Sequence, residues 1–84
     1  MTATAVDDRI IWIIAQLSAV EPGEIRREDR LREDLGMDSV CSMELLSMLA
    51  EELDLHIEVE EAVGVHTVAE TIDLAQKHLD ARMS

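Results

Sequence analysis

A chain of 84 residues with a 48% apolar fraction makes a single small domain spanning 1–84, and folding at that size buries only about 60–65% of the unfolded surface. There is room for one modest core but not for a core and a deep substrate cleft, which argues against a stand-alone enzyme, and the apolar fraction argues against disorder. A formal net charge of −12 argues against nucleic acid and anionic membrane surfaces as partners, because both repel a polyanion.

The apolar residues are mainly Leu, Ile, Val, Ala and Met, with Trp12 the one aromatic and Pro22 the one proline, a composition that reads as all-α. The first helix is predicted to begin near Thr4, where Thr4 and Asp7 have the spacing of a capping box and Asp8 adds charge to the first turn. Val6, Ile10, Ile13, Leu17 and Val20 then recur at helical spacing until Glu21-Pro22-Gly23, which is expected to stop the helix. The apolar run Ile10–Ala15 follows Asp7 and Asp8 and is too short for a secretory core or a membrane span.

Residues 24–37 read as a long loop anchored by Ile25, Leu31 and Leu35. Arg26, Arg27, Arg30 and Arg32 alternate there with Glu28, Asp29, Glu33 and Asp34, as in a solvated mixed-charge loop, with a part in partner choice as the alternative. A second helix is predicted from Asp38-Ser39 to about Leu53, with Leu45, Leu46, Leu49 and Leu53 as its core stripe. Val40, Glu44, Ser47 and Glu51 fall on the opposite side with Met43 at its edge, a face that suits docking or is simply the outside of an amphipathic helix. Val59–Val63 reads as a short third helix closed by Gly64. The last helix opens with Thr67-x-x-Glu70 and places Val68, Ile72, Ala75 and Leu79 on one face, with Lys77, His78 and Arg82 toward its C-terminus. The expected fold is a small four-helix bundle: three longer helices, one short helix, and a long loop after the first.

Charge is unevenly placed. No Lys or Arg occurs between Arg32 and Lys77, while carboxylates from Glu33 to Asp73 fill that gap. Such a tract keeps a domain soluble, and it also offers an electrostatic handle to basic partners that weakens with salt. The lone Cys41 excludes an internal disulfide and fits a reducing cytoplasm.

The stretch Asp34-Leu35-Gly36-Met37-Asp38-Ser39-Val40 is the most informative. Gly36 permits a tight turn and Asp38 can cap the following helix. Ser39 then sits at a helix N-terminus near solvent, where free N–H groups and the positive end of the dipole favour a phosphate ester. The plainer alternative is that Ser39 only takes part in the N-cap.

With Glu44-Leu45 five residues beyond the serine, this stretch resembles the acyl carrier protein signature, and segment order, the long first loop, Leu53-x-x-x-Ile57 and Thr67-Val68 extend the resemblance over the chain. The resemblance implies that 4′-phosphopantetheine, transferred from coenzyme A by a separate Mg²⁺-dependent transferase, is attached to Ser39 and holds acyl groups as thioesters. It implies that Asp38 helps present the serine, and that Val40, Met43, Glu44, Ser47 and Glu51 face partner enzymes. Leu45, Leu49, Leu53 and Ile57 match positions that can shelter an acyl chain. The implied partners are a phosphopantetheinyl transferase and acyltransferase, ketosynthase or adenylating ligase-type enzymes, meeting a cytoplasmic monomer. Cys41 and Ala50 stand where fatty-acid carriers often have acidic residues, and Glu58 where they often have proline, which leans toward a polyketide-type or other specialised pathway. An aspartate before the serine argues modestly against a peptidyl carrier. An unmodified acidic interaction module and a kinase-phosphorylated domain are the readings from other classes.

No catalytic or metal-binding residues are expected. Cys41 has no histidine near it in sequence and reads as an incidental exposed thiol. His56, His66 and His78 are too widely spaced for a local metal motif, the carboxylates do not follow Ca²⁺-loop spacing, and Ser39 lacks a nucleophile elbow. The methionines are expected to pack, with Met43 and Met48 able to adapt to several surfaces.

Overall fold

The computed structural model describes residues 5–83 and shows four helices around one core. These are α1 (Ala5–Ser18), α2 (Ser39–Glu52), α3 (Val59–Val63) and α4 (Val68–Met83), with a short 3-10 helix at Pro22–Glu24. The all-α bundle expected from composition is what forms, with the one short helix in its predicted place. Thr4, the expected first cap, lies outside the described residues.

The first helix ends earlier than its Pro-Gly signal. Ala19 takes a left-handed conformation (φ 63°) and its N–H returns to the Ala15 carbonyl at 2.9 Å, closing α1 before Glu21. Its buried face is also wider than one stripe. Ile10, Ile13 and Ile14 are fully buried and Ala15 nearly so, because α1 packs against both α2 and α4. Val6, Leu17 and Val20 sit at the margin, half-buried.

The 24–37 segment is far from loose. Its backbone is tied to the start of α4 by three bonds: Leu31 N–H to the His66 carbonyl (2.9 Å), Val68 N–H to the Asp29 carbonyl (3.0 Å) and Ala69 N–H to the Arg27 carbonyl (2.8 Å). Ile25, Leu31 and Leu35 are buried as expected, and Met37, absent from the predicted anchors, is the deepest of the group. Two of the loop arginines pair with carboxylates: Arg30 with Asp34 and Arg27 with Asp7.

The second helix matches its prediction, with Leu45 and Leu49 buried and Leu46 and Leu53 half-buried. Asp54 (φ 55°) turns the chain out of it and Leu55 N–H reaches back to the Ala50 carbonyl at 3.1 Å. The short α3 carries a capping box between Glu58 and Glu61. Gly64 follows it with φ −86°, so it closes the helix without the left-handed turn its identity suggested. The Thr67–Glu70 box forms: Glu70 N–H donates to Thr67 Oγ1 and Thr67 N–H to Glu70 Oε1, both at 3.1 Å. Val68, Ile72 and Ala75 are buried and Leu79 is half-buried. The His78 ring pairs with the Glu61 carboxylate at 2.9 Å and so joins α4 to α3.

Each fully buried Ile or Leu contributes roughly 1.5–3 kcal/mol, whereas an exposed ion pair adds about 0–1 kcal/mol. The bundle is therefore held mainly by its apolar core, and its exposed ion pairs add little.

Candidate functional site

Gly36 makes the turn into α2 with φ +69°, a conformation that a side chain would strain. Met37 then anchors the chain, and its N–H donates to the Leu31 carbonyl at 2.9 Å. Immediately after this buried anchor the chain surfaces at Asp38, Ser39 and Val40, all exposed. The serine is thus pinned from one side and open on the other.

Asp38, and not Ser39, is the N-cap. Its backbone is extended and its Oδ1 accepts from the Cys41 N–H at 2.9 Å, which holds the carboxyl below the usual carboxylate range. Ser39 is the first helical residue, and its hydroxyl makes no hydrogen bond among the described residues. The capping role thus falls to Asp38, and Ser39 follows it as the first helical residue. Of the free N–H groups expected at this helix end, the aspartate already takes that of Cys41.

Cys41 is half-buried against the core and is not the exposed thiol anticipated from sequence. Burial first, then the Asp38 carboxylate, pushes its pKa up, the opposite of what an activated nucleophile requires. Along the outside of α2, Val40 (66% exposed), Met43 (60% exposed), Glu44, Ser47 and Glu51 form one continuous face. Ala50 is half-buried, so its identity subtracts little from the charge of that face.

A cleft of about 630 Å³ opens beside Ser39. Its floor is apolar, made by Leu31, Met37, Leu46, Ala62 and Val65, with Ser42 one turn along α2 from Ser39. Arg32, Glu33 and His66 also line it. Deeper between α2, α3 and α4 lies a crevice of about 30 Å³, bordered by Ser42, Leu45, Leu46, Leu49 and Leu74. Of the residues the resemblance assigned to shelter a chain, Leu45 and Leu49 border this crevice, whereas Leu53 and Ile57 are half-buried and do not border it. Arg32, Met37, Ser42 and His66 were not singled out from sequence for this site. For Met37 a signal existed, since an apolar residue just before the Asp38 cap suits an anchor at the helix entrance.

Among the described residues no group of three or more His, Cys, Asp or Glu is arranged to hold a metal ion, and no helix is long and apolar enough to cross a membrane. The exposed hydroxyl of Ser39, with open space on one side and a cleft on the other, fits a long substituent attached through oxygen.

Comparison with known proteins agrees with this geometry. The family model described as "Phosphopantetheine attachment site" matches residues 8–75. The crystal structure of an acyl carrier protein from Thermotoga maritima is similar with a TM-score of 0.74 at 24% sequence identity, over 94% of this chain and 96% of that one. The helix order, the exposed serine and the family match converge: this chain belongs to the phosphopantetheine attachment site family, whose members carry 4′-phosphopantetheine covalently, and it has the fold of an acyl carrier protein.

Proposed function

We propose that Ser39 is the attachment residue and that the protein is an acyl carrier, presenting thioesters to the enzymes of a biosynthetic pathway. The observation that carries this reading is the exposed Ser39 hydroxyl, unbonded at the first residue of α2, in a chain matched by the attachment-site family. The arm, when attached, supplies a terminal thiol for the thioester. The chain's own residues do the rest. Met37 and Gly36 fix the entrance to α2, Asp38 holds its first turn rigid, and Ser39 Oγ offers the oxygen of the phosphodiester to a phosphopantetheinyl transferase. Carriers of this kind are generally non-catalytic, and the raised pKa of Cys41 fits a bystander thiol.

Val40 and Met43 supply apolar contact on the face of α2 while Glu44 and Glu51 supply charge, a combination suited to acyltransferase, ketosynthase or ligase-type enzymes with basic docking sites. A polyketide-type or other specialised pathway is favoured over primary fatty-acid synthesis. The support is Glu58, at a position where fatty-acid carriers often have proline, together with Cys41 and Ala50, where they often have acidic residues. Incubation with coenzyme A and a broad-specificity transferase tests the attachment. Intact mass is expected to rise by one phosphopantetheine in the wild type and to stay unchanged in Ser39→Ala; addition persisting in that variant would exclude the site.

A further inference from the structure

Resting on that attachment, we infer that Arg32 is a positioning residue for the arm: its guanidinium pairs with an anionic oxygen group that the arm brings into the cleft beside Ser39.

Three observations lead there. First, the N-terminus of α2 is poorly suited to hold the anion unaided, because the Asp38 carboxylate already takes the Cys41 N–H and sets a negative charge next to Ser39. Second, the cleft's remaining charged wall holds Glu33 and Arg32, and no further Lys or Arg occurs before Lys77, so Arg32 is the strong cation lining this cleft. Third, Arg32 is uncommitted. Arg9, Arg27 and Arg30 pair with Glu52, Asp7 and Asp34, whereas the exposed Arg32 side chain has no ion pair among the described residues. Its backbone is nevertheless fixed, since Gly36 N–H donates to the Arg32 carbonyl at 3.1 Å and Leu31 N–H is tied to His66. A cation on a fixed stretch of chain, lining the same cleft as Ser39, meets an anion with little further ordering, and the planar guanidinium matches a phosphate or carboxylate with two parallel N–H bonds.

Two sources can supply that anionic group: the phosphodiester of the arm itself, or the free carboxylate of a dicarboxylic acyl cargo. The experiment follows the Arg32 Nε–H resonance by NMR in the apo, phosphopantetheinyl, acetyl-loaded and malonyl-loaded protein, with loading verified by mass. A shift appearing with the bare arm and persisting in both loaded forms supports pairing with the phosphodiester. A shift confined to the malonyl form supports a carboxylate-bearing cargo. In Arg32→Gln the arm-dependent shifts of neighbouring Glu33 and His66 amides are expected to fall at least twofold, and Arg32→Lys to restore part of them. The melting temperature of both variants should stay near that of the wild type, because the side chain is exposed and unpaired. An Arg32 resonance that moves in none of the modified forms overturns the inference alone, and a chain that accepts no arm overturns the attachment at Ser39 with it.

Discussion

At Ser39 the chain solves a local problem with adjacent residues of opposite burial. Met37 is 1% exposed and Ser39 is open, with Asp38 between them fastening the first turn of α2. The role of Asp38 is testable through pH. Its folded pKa lies below the ordinary carboxylate value near 4, so its contribution to stability is full above about pH 4 and is lost as pH falls through the folded value. Asp38→Ala is therefore expected to lower the melting temperature by a few degrees at pH 7, and this difference should shrink as the pH falls below about 4; a gap that does not shrink in acid would contradict the capping role. The Asp-Leu-Gly-Met-Asp-Ser stretch was legible at this scale because turn and cap chemistry depend on residue type: glycine for positive φ, aspartate for the cap. Arg32 and His66 were illegible. Nothing local marks residues that meet across a cleft from distant parts of the chain.

At the scale of the element, α2 divides into a buried face that packs the core and an exposed face that we propose docks partner enzymes. Leu45 and Leu49 are buried while Val40, Met43, Glu44, Ser47 and Glu51 are not, so substitutions on the two sides should separate cleanly. Leu49→Ala is expected to cost about 2–5 kcal/mol, a fall of roughly 10 °C or more in melting temperature in a domain of this size. Ser47→Ala should change stability by less than about 0.5 kcal/mol. Thermal denaturation of the pair checks the assignment, and comparable losses would show that the faces are wrongly drawn. Helical periodicity made α2 and α4 readable, because each presents one main stripe to the core. It understated α1, where Ile14 belongs to the core as fully as Ile13: a helix packed between two others buries a sector wider than one stripe. It also missed how α1 ends, since Ala19 adopts a left-handed turn that its side chain does not favour.

Across the whole molecule, charge and fold pull against each other. A net charge of −12 on a bundle with a radius of gyration of 11.8 Å generates self-repulsion that the apolar core must outweigh. Asp34, Asp38, Glu61 and Glu70 are all held below the usual carboxylate range chiefly by backbone N–H donors, so each favours the folded state above about pH 4 and loses that contribution below it. Moving from pH 7 toward pH 4 should raise the melting temperature as repulsion eases, and going below pH 4 should lower it as these carboxylates protonate. A stability that rises steadily to pH 2 would contradict the caps. Salt should act in opposite directions on folding and docking, raising the melting temperature at pH 7 while weakening association with a transferase or synthase. Glu44→Lys should reduce partner turnover several-fold with stability within about 0.5 kcal/mol of wild type, and salt-independent turnover would refute electrostatic docking. Composition foretold this balance, but not how the 24–37 segment is held, because the backbone bonds joining residues 27–31 to residues 66–69 follow no side-chain period.

The central claim is that one oxygen, Ser39 Oγ, bears the arm. Tandem mass spectrometry of peptides from the transferase-treated protein tests it most directly, since Ser42 and Ser47 lie on the same helix and serve as internal controls. The account predicts phosphopantetheine on Ser39 alone. Finding it on Ser42 or Ser47, or finding Ser39 unmodified in a fully converted sample, would contradict it.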